Sequence, residues 1–227
     1  MARESGSAGR AARGAATLRR APAATDAAAA GTGALERCDD ALLLVDLISD
    51  FAYPGGDVLL RRLAPAVPRI ARLAQRAREA GVPVIYVNDN HGRWRSSFAD
   101  VVAAARAPGA PGASVCERLA PTPDDYFVLK PRHSGFHRTP LDLLLAALGT
   151  RRVVIAGVSG DACVMLTAAD AHLRGFAIEV PADCTASSDA GDNRRALEWM
   201  ARVLHARTGA AASVRWSAGR RGERKLP

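Results

Sequence analysis

Apolar residues in this chain fall into short dense runs separated by longer stretches with helical spacing. Residues 41–47 (ALLLVDL) form a run too short for a helix, and it ends at an acid. Residues 57–80 carry Leu59, Leu63, Ile70, Leu73 and Ala77 at helical intervals, with Gly81 beyond the end and Pro65 and Pro68 expected to break or kink the first half. Residues 82–88 (VPVIYVN), 126–130 (YFVLK), 152–157 (RVVIAG) and 176–180 read as further strands. Helices are expected over 96–106, 140–148 (capped by Thr139 and closed by Gly149), 161–174 and 189–206. A Pro/Gly/Ala loop is expected over 107–114 and a last strand over 212–216. Continuous apolar strands alternating with helices imply a parallel sheet covered on both faces. In such sheets ligands bind beyond the carboxyl ends of the strands, which puts Asp46, the segment 88–91, Lys130 and the loop after Gly157 on one edge.

Composition sets the boundaries. Residues 1–35 hold Leu18 and Leu35 as their only large aliphatics, too little apolar area to offset the entropy of ordering. They read as a disordered Ala/Arg-rich extension, 36–216 as the folded domain and 217–227 as a flexible basic tail. The formal net charge is +8, but residues 1–33 carry +3 of it and residues 215–227 carry +4. The body is close to neutral and has no basic stripe interleaved with aromatics, so no specific nucleic-acid partner is expected. No apolar run is long enough to span a membrane, and no secretory signal is evident. Four cysteines at irregular spacing, without a CxxC pair, fit a reducing, cytoplasmic setting. Of 31 basic residues only Lys130 and Lys225 are lysines. In a chain that uses Arg nearly everywhere, the one lysine of the body hints at chemistry that needs a compact ammonium.

Three residues stand where chemistry is expected. Cys163 follows a strand and a Gly-containing turn and opens a helix, whose free N–H groups and dipole would favour a thiolate and could hold an oxyanion. Asp46 ends one strand and can act as a base; Lys130 ends another. His133 and His137 flank the Lys130 segment, and a triad using one of them in place of Asp46 stays open at this level.

Three segments resemble the isochorismatase-like cysteine hydrolases. Asp46-Leu47-Ile48-Ser49-Asp50-Phe51 is similar to the family's D-x-Q-x-D-F opening, Lys130 through Ser134 to Phe136 is similar to K-x-x-x-S-x-F, and Gly157-Val158-Ser159-Gly160-Asp161-Ala162-Cys163-Val164 is similar to G-V-x-T-D-x-C-V. The resemblance implies a three-layer α/β/α sandwich with a mainly parallel, Rossmann-like six-stranded sheet. It also implies a Cys163–Asp46–Lys130 triad, a cis bond between Val158 and Ser159, and oxyanion donors at the backbone N–H groups of Ala162 and Cys163. Phe51, Trp94, Ser134 and Phe136 are the implied substrate contacts. The segment Asp89 to Phe98 resembles the nicotinamidase metal segment, but Arg95 stands where that segment has its second His, so no metal and no other cofactor is expected. Ile48 and Gly160 replace the Gln and Thr common in the family. The implied activity is hydrolysis of a small-molecule amide through a thioester, in a homodimer or homotetramer. Vinyl-ether hydrolysis without a thiol, and a non-enzymatic binding role, are the alternatives.

Overall fold

The structure is a computed structural model that describes residues 37–217. The expected extension over 1–35 and all of the expected tail but Ser217 lie outside the described residues. Ser217 itself donates its N–H to Asp40 Oδ2 at 2.7 Å.

Strand β1 (Asp40–Val45) alternates its side chains between two cores, because successive Cβ atoms point to opposite faces. Leu42 and Leu44 enter one core, Ala41, Leu43 and Val45 the other. The chain continues through α1 (Gly56–Leu63), α2 (Val67–Glu79), β2 (Val84–Asp89), α3 (Phe98–Ala105), α4 (Ala113–Arg118), β3 (Tyr126–Lys130), α5 (Leu141–Leu148) and β4 (Arg152–Val158). A π-turn (Gly160–Val164) leads into α6 (Met165–Leu173), followed by β5 (Ala177–Glu179), β6 (Thr185–Ala186) and α7 (Ala190–Val203). The sheet is parallel throughout, in the order β3-β2-β1-β4-β5, with β6 pairing with the end of β4. Helices α1–α4 cover one face and α5–α7 the other, giving the three layers expected. No helix among the described residues is long and apolar enough to cross a membrane.

The break expected from Pro65 and Pro68 divides the 57–80 helix into α1 and α2 between Leu63 and Val67, with Pro68 in the first turn of α2, where a missing N–H costs nothing. Three local expectations change. The 107–114 loop gives way to α4, which starts at Ala113 and buries Val115 and Cys116. Thr139 is not the N-cap residue of α5; Pro140 is, and Thr139 Oγ1 accepts from Leu141 N–H at 3.3 Å. Residues 212–216 are not a strand. Ala211–Ser213 form a 3₁₀ turn, and Arg76 and Arg152 take the carbonyls of Ala211, Val214 and Arg215. The place beside β5 is held instead by Arg207, whose N–H donates to Ile178 O at 3.0 Å and whose carbonyl accepts from Val180 at 2.8 Å. The sixth strand is β6.

Candidate active site

The carboxyl ends of β1, β2, β3 and β4 meet at one edge of the sheet. Asp46 follows β1 in a left-handed conformation (φ 51°), and such a residue is uncommon outside sites with a reason for it. Its Oδ1 accepts from the Asp89 N–H at the end of β2 (2.7 Å), and its Oδ2 lies 2.8 Å from the Lys130 ammonium at the end of β3. Beneath it, Gly157 (φ 130°) pairs with Val45, and a Cβ there would sit 2.1 Å from the Val45 carbonyl oxygen. Only glycine lets β1 and β4 close to this distance. The Val158–Ser159 bond after it is cis. The π-turn then carries Cys163, with the Val164 N–H reaching back to Ser159 O at 3.1 Å.

Lys130 is fully buried, and its Nζ lies 3.4 Å from Asp89 Oδ2 and 3.6 Å from Cys163 Sγ. Burial works against its charge, but Asp46, Cys163 and Asp89 outweigh that and raise its pKa, so it stays an ammonium. Burial also raises Asp46 above the ordinary carboxylate value, with Lys130 opposing. The Cys163 thiol is pushed up to about 12, first by burial and then by the Asp46 charge, with Lys130 again opposing. Burial and the Asp46 charge thus work against the thiolate that the helix start was expected to favour. The low dielectric and the neighbouring carboxylate dominate, and the thiol keeps its proton next to a group able to take it.

The structure thus brings Asp46, Lys130 and Cys163 together from three distant segments. It adds two residues that sequence reasoning left out of the constellation or left open. Asp89 shares the ammonium, and its place at the end of β2 was the available signal. His133 puts Nδ1 at 3.8 Å from Cys163 Sγ; a loop position offers no periodicity from which to find it. His137 has no such placement in the site.

A cleft of about 200 Å³ is lined by residues that follow Asp46 and Asp89 in the chain, among them Ile48, Tyr53, Asn90, His91, Arg93 and Ser96; Asp46, Lys130 and Cys163 are not in its lining. Burial, and after it the charges of Asp46, Asp50 and Cys163, raise the pKa of the Tyr53 hydroxyl. The four expected substrate contacts are not among the residues that line this cleft. Phe51 is buried in the core with its ring 6.2 Å from that of Tyr53. Trp94 is 79% exposed and outside the cleft lining. Ser134 Oγ donates to Asp170 Oδ2 on α6, and Phe136 packs into the core beneath Arg174. The Ala162 N–H, one of the two expected oxyanion donors, is bonded to Ser159 O at 3.1 Å. A metal fits poorly here. Asp89 already accepts from the Lys130 ammonium and from His91 N–H, Arg95 holds the second His position, and no group of three potential ligands occurs among the described residues.

The sequence profile of the Isochorismatase domain matches residues 40–212. The isochorismatase family protein YaaI of Bacillus subtilis is 37% identical over 172 residues, covering 76% of this chain and 94% of that protein. The ureidoacrylate amidohydrolase RutB of Methylobacterium radiotolerans is 30% identical, covering 67% of this chain and 69% of that protein. The crystal structure of N-carbamoylsarcosine amidase from Thermoplasma acidophilum superimposes with a TM-score of 0.58 at 28% identity, over 78% of this chain and 98% of that one. Profile, relatives and fold agree, and the chain belongs to the isochorismatase family of hydrolases.

Proposed function

We propose that this protein hydrolyses the C–N bond of a small amide through a thioester on Cys163. The observation that carries the reading is the buried Lys130 ammonium, within 2.8 Å of Asp46 Oδ2 and 3.6 Å of Cys163 Sγ. An ammonium there has no structural need that an apolar residue would not meet; buried charges are costly unless paired. The amidase and amidohydrolase named above add support for amide chemistry.

The steps follow from the charges. Asp46 takes the Cys163 proton as the sulfur attacks the amide carbonyl, forming the S–C bond and an oxyanion. The Cys163 N–H is the first donor to that oxyanion; the Ala162 N–H joins by loosening its bond to Ser159 O. Asp46 then gives its proton to the leaving nitrogen as the C–N bond breaks, and ammonia or an amine departs. Water enters, Asp46 takes one of its protons, and hydroxide adds to the thioester. Collapse breaks the S–C bond, the sulfur recovers its proton from Asp46, and a carboxylic acid leaves. Lys130 stays protonated throughout and offsets the negative charge that moves between Asp46 and sulfur.

The test is ammonia release from ureidoacrylate, N-carbamoylsarcosine and a panel of simple amides by the full chain and by Cys163→Ala. Turnover by the wild type, its loss by at least about 10³-fold in the variant, and an acyl adduct on Cys163 in quenched reactions are expected. Full activity of Cys163→Ala on the same amide would refute the covalent route; no ammonia release from any amide by the wild type, together with turnover of a vinyl ether, would favour vinyl-ether hydrolysis, which needs an acid but no thiol.

A further inference from the structure

The sulfur of Cys163 is approached from two sides. Lys130 comes from the sheet, but its ammonium is shared with Asp46 and Asp89. From the exposed side comes His133, with Nδ1 3.8 Å from Sγ. This approach is held by residues on either side of it in sequence. Lys130 is buried at the end of β3. Ser134 Oγ donates to Asp170 Oδ2 at 2.5 Å, and Gly135 N–H donates to Thr167 Oγ1 at 2.9 Å. Phe136 is locked in the core beneath the Arg174 guanidinium, 4.7 Å from its ring centre, and Arg174 in turn pairs with Asp170. Two hydrogen bonds and a buried ring thus fasten residues 134–136 to α6, the helix that follows the nucleophile turn. The residue just before that clamp is the one that faces the sulfur.

We propose that His133 is a further catalytic residue, donating Nδ1–H to the Cys163 sulfur as negative charge forms on it. The proposal rests on the reading of Cys163 as the nucleophile. The proton of the thiol goes to Asp46, as above; the His133 proton stays on Nδ1. The need for such a donor is physical. A sulfur anion forming in a partly buried site beside the Asp46 carboxylate is poorly solvated, and its sheet-side donor already serves two carboxylates. A hydrogen bond that strengthens only as charge develops lowers the barrier rather than tightening substrate binding. The charged groups that bond this sulfur are Asp46 and Lys130, with Asp89 behind Lys130, and Tyr53 is linked to it through charge alone.

The variants are His133→Phe, which keeps the ring and removes the donor, and His133→Asn, whose side-chain N–H sits near the Nδ1 position. Three readouts are taken at a fixed pH of about 8: iodoacetamide labelling of Cys163, kcat and KM, with thermal unfolding as a folding check. In His133→Phe, labelling and kcat fall by about tenfold, the worth of one hydrogen bond to a charged group, while KM stays within about twofold. His133→Asn recovers most of both rates. Wild-type labelling and kcat in His133→Phe would overturn the proposal. So would a His133→Asn as slow as His133→Phe, because the imidazole would then act as a base. Cys163→Ala separates the two readings: if that variant is inactive and His133→Phe is normal, only the His133 role fails; if Cys163→Ala is active, the covalent reading fails with it.

Discussion

In the proposed mechanism Asp46 serves as base and acid within one turnover, and its surroundings pull its proton affinity both ways. The Asp89 N–H and the Lys130 ammonium stabilise its charged form, while burial disfavours it and prevails, so its pKa lies above the ordinary carboxylate range. Cys163 is displaced the same way, to about 12. The active form therefore carries Asp46 ionised and Cys163 protonated. Activity should rise with pH as Asp46 ionises, with a midpoint above that of a free aspartate. It should then stay level through pH 8.5, where a free thiol would titrate, because the thiol holds its proton far beyond that value. The kcat/KM profile from pH 4 to 10 checks this, and an added limb near 8.5 would contradict it. Asp46→Asn should lower kcat by about 10²-fold or more. The linkage has a sign as well. A thiol whose pKa is raised on folding contributes stability that is fully present below its unfolded value and is lost as pH rises towards 12, so the folded state weakens in alkali. Cys163→Ala should blunt that alkaline loss, read as the difference in urea midpoint between pH 8 and pH 10.5.

At the scale of elements, the nucleophile turn is held by what packs behind it. Asp161 N–H donates to Ser187 Oγ at 3.0 Å, Ser187 Oγ–H donates to Asn193 Oδ1 at 3.2 Å, and Asn193 Nδ2 reaches Thr185 Oγ1 at 3.4 Å. This chain of bonds joins the π-turn to β6 and α7. It also explains why position 160 is glycine. A Cβ there would lie 2.0 Å from Asn193 Oδ1 and 3.2 Å from Ser187 Oγ. Gly160→Thr should cost about 1–3 kcal/mol of stability by overpacking and lower kcat by about tenfold or more through displacement of the turn. Gly160→Thr with Asn193→Ala should recover most of both, in thermal unfolding and turnover measured side by side. Additive losses in the pair would show that the two positions do not compete for one space. The same region shows what the sequence could and could not convey. Asp46, Lys130 and Cys163 were legible because each ends or follows an apolar run, and parallel topology gathers such ends. The contacts of Ser134 and Phe136 with α6 were not, since nothing in a loop's sequence says which way its side chains turn. Nor was β6 legible: two residues pairing with the end of β4 leave no period to read, whereas residues 212–216 looked strand-like yet lost their carbonyls to arginines.

The whole molecule separates its chemistry from its main charged support by the length of the sheet. At the start of β4, Arg152 bonds Asp40 on β1 through two nitrogens (2.8 and 2.6 Å) and Glu179 on β5 at 3.0 Å. Asp40 and Glu179 are almost completely buried, so one guanidinium ties three adjacent strands together and pairs with two carboxylates out of water. Its pKa is raised, first by its hydrogen bonds to Asp40, which overcome the opposing effect of burial. From Arg152 to Val158, where the turn towards Cys163 begins, six strand steps cover about 20 Å. Removing one member of such a network leaves the others buried and unpaired, which costs about 3–5 kcal/mol; replacing all members with apolar residues of similar volume removes that penalty. Arg152→Met should therefore lose most of that amount in urea unfolding, while Arg152→Met with Asp40→Leu and Glu179→Leu should lose clearly less, despite carrying three changes instead of one. In both, kcat per folded molecule should match the wild type at 25 °C, because the strand ends that hold Asp46, Lys130 and Cys163 keep their backbone pairing. A fall in kcat without loss of folded protein would mean that strain at the amino ends of the strands is transmitted along the sheet. The register of β1 against β4, fixed at Val45 by the close approach of Gly157, is what should prevent it.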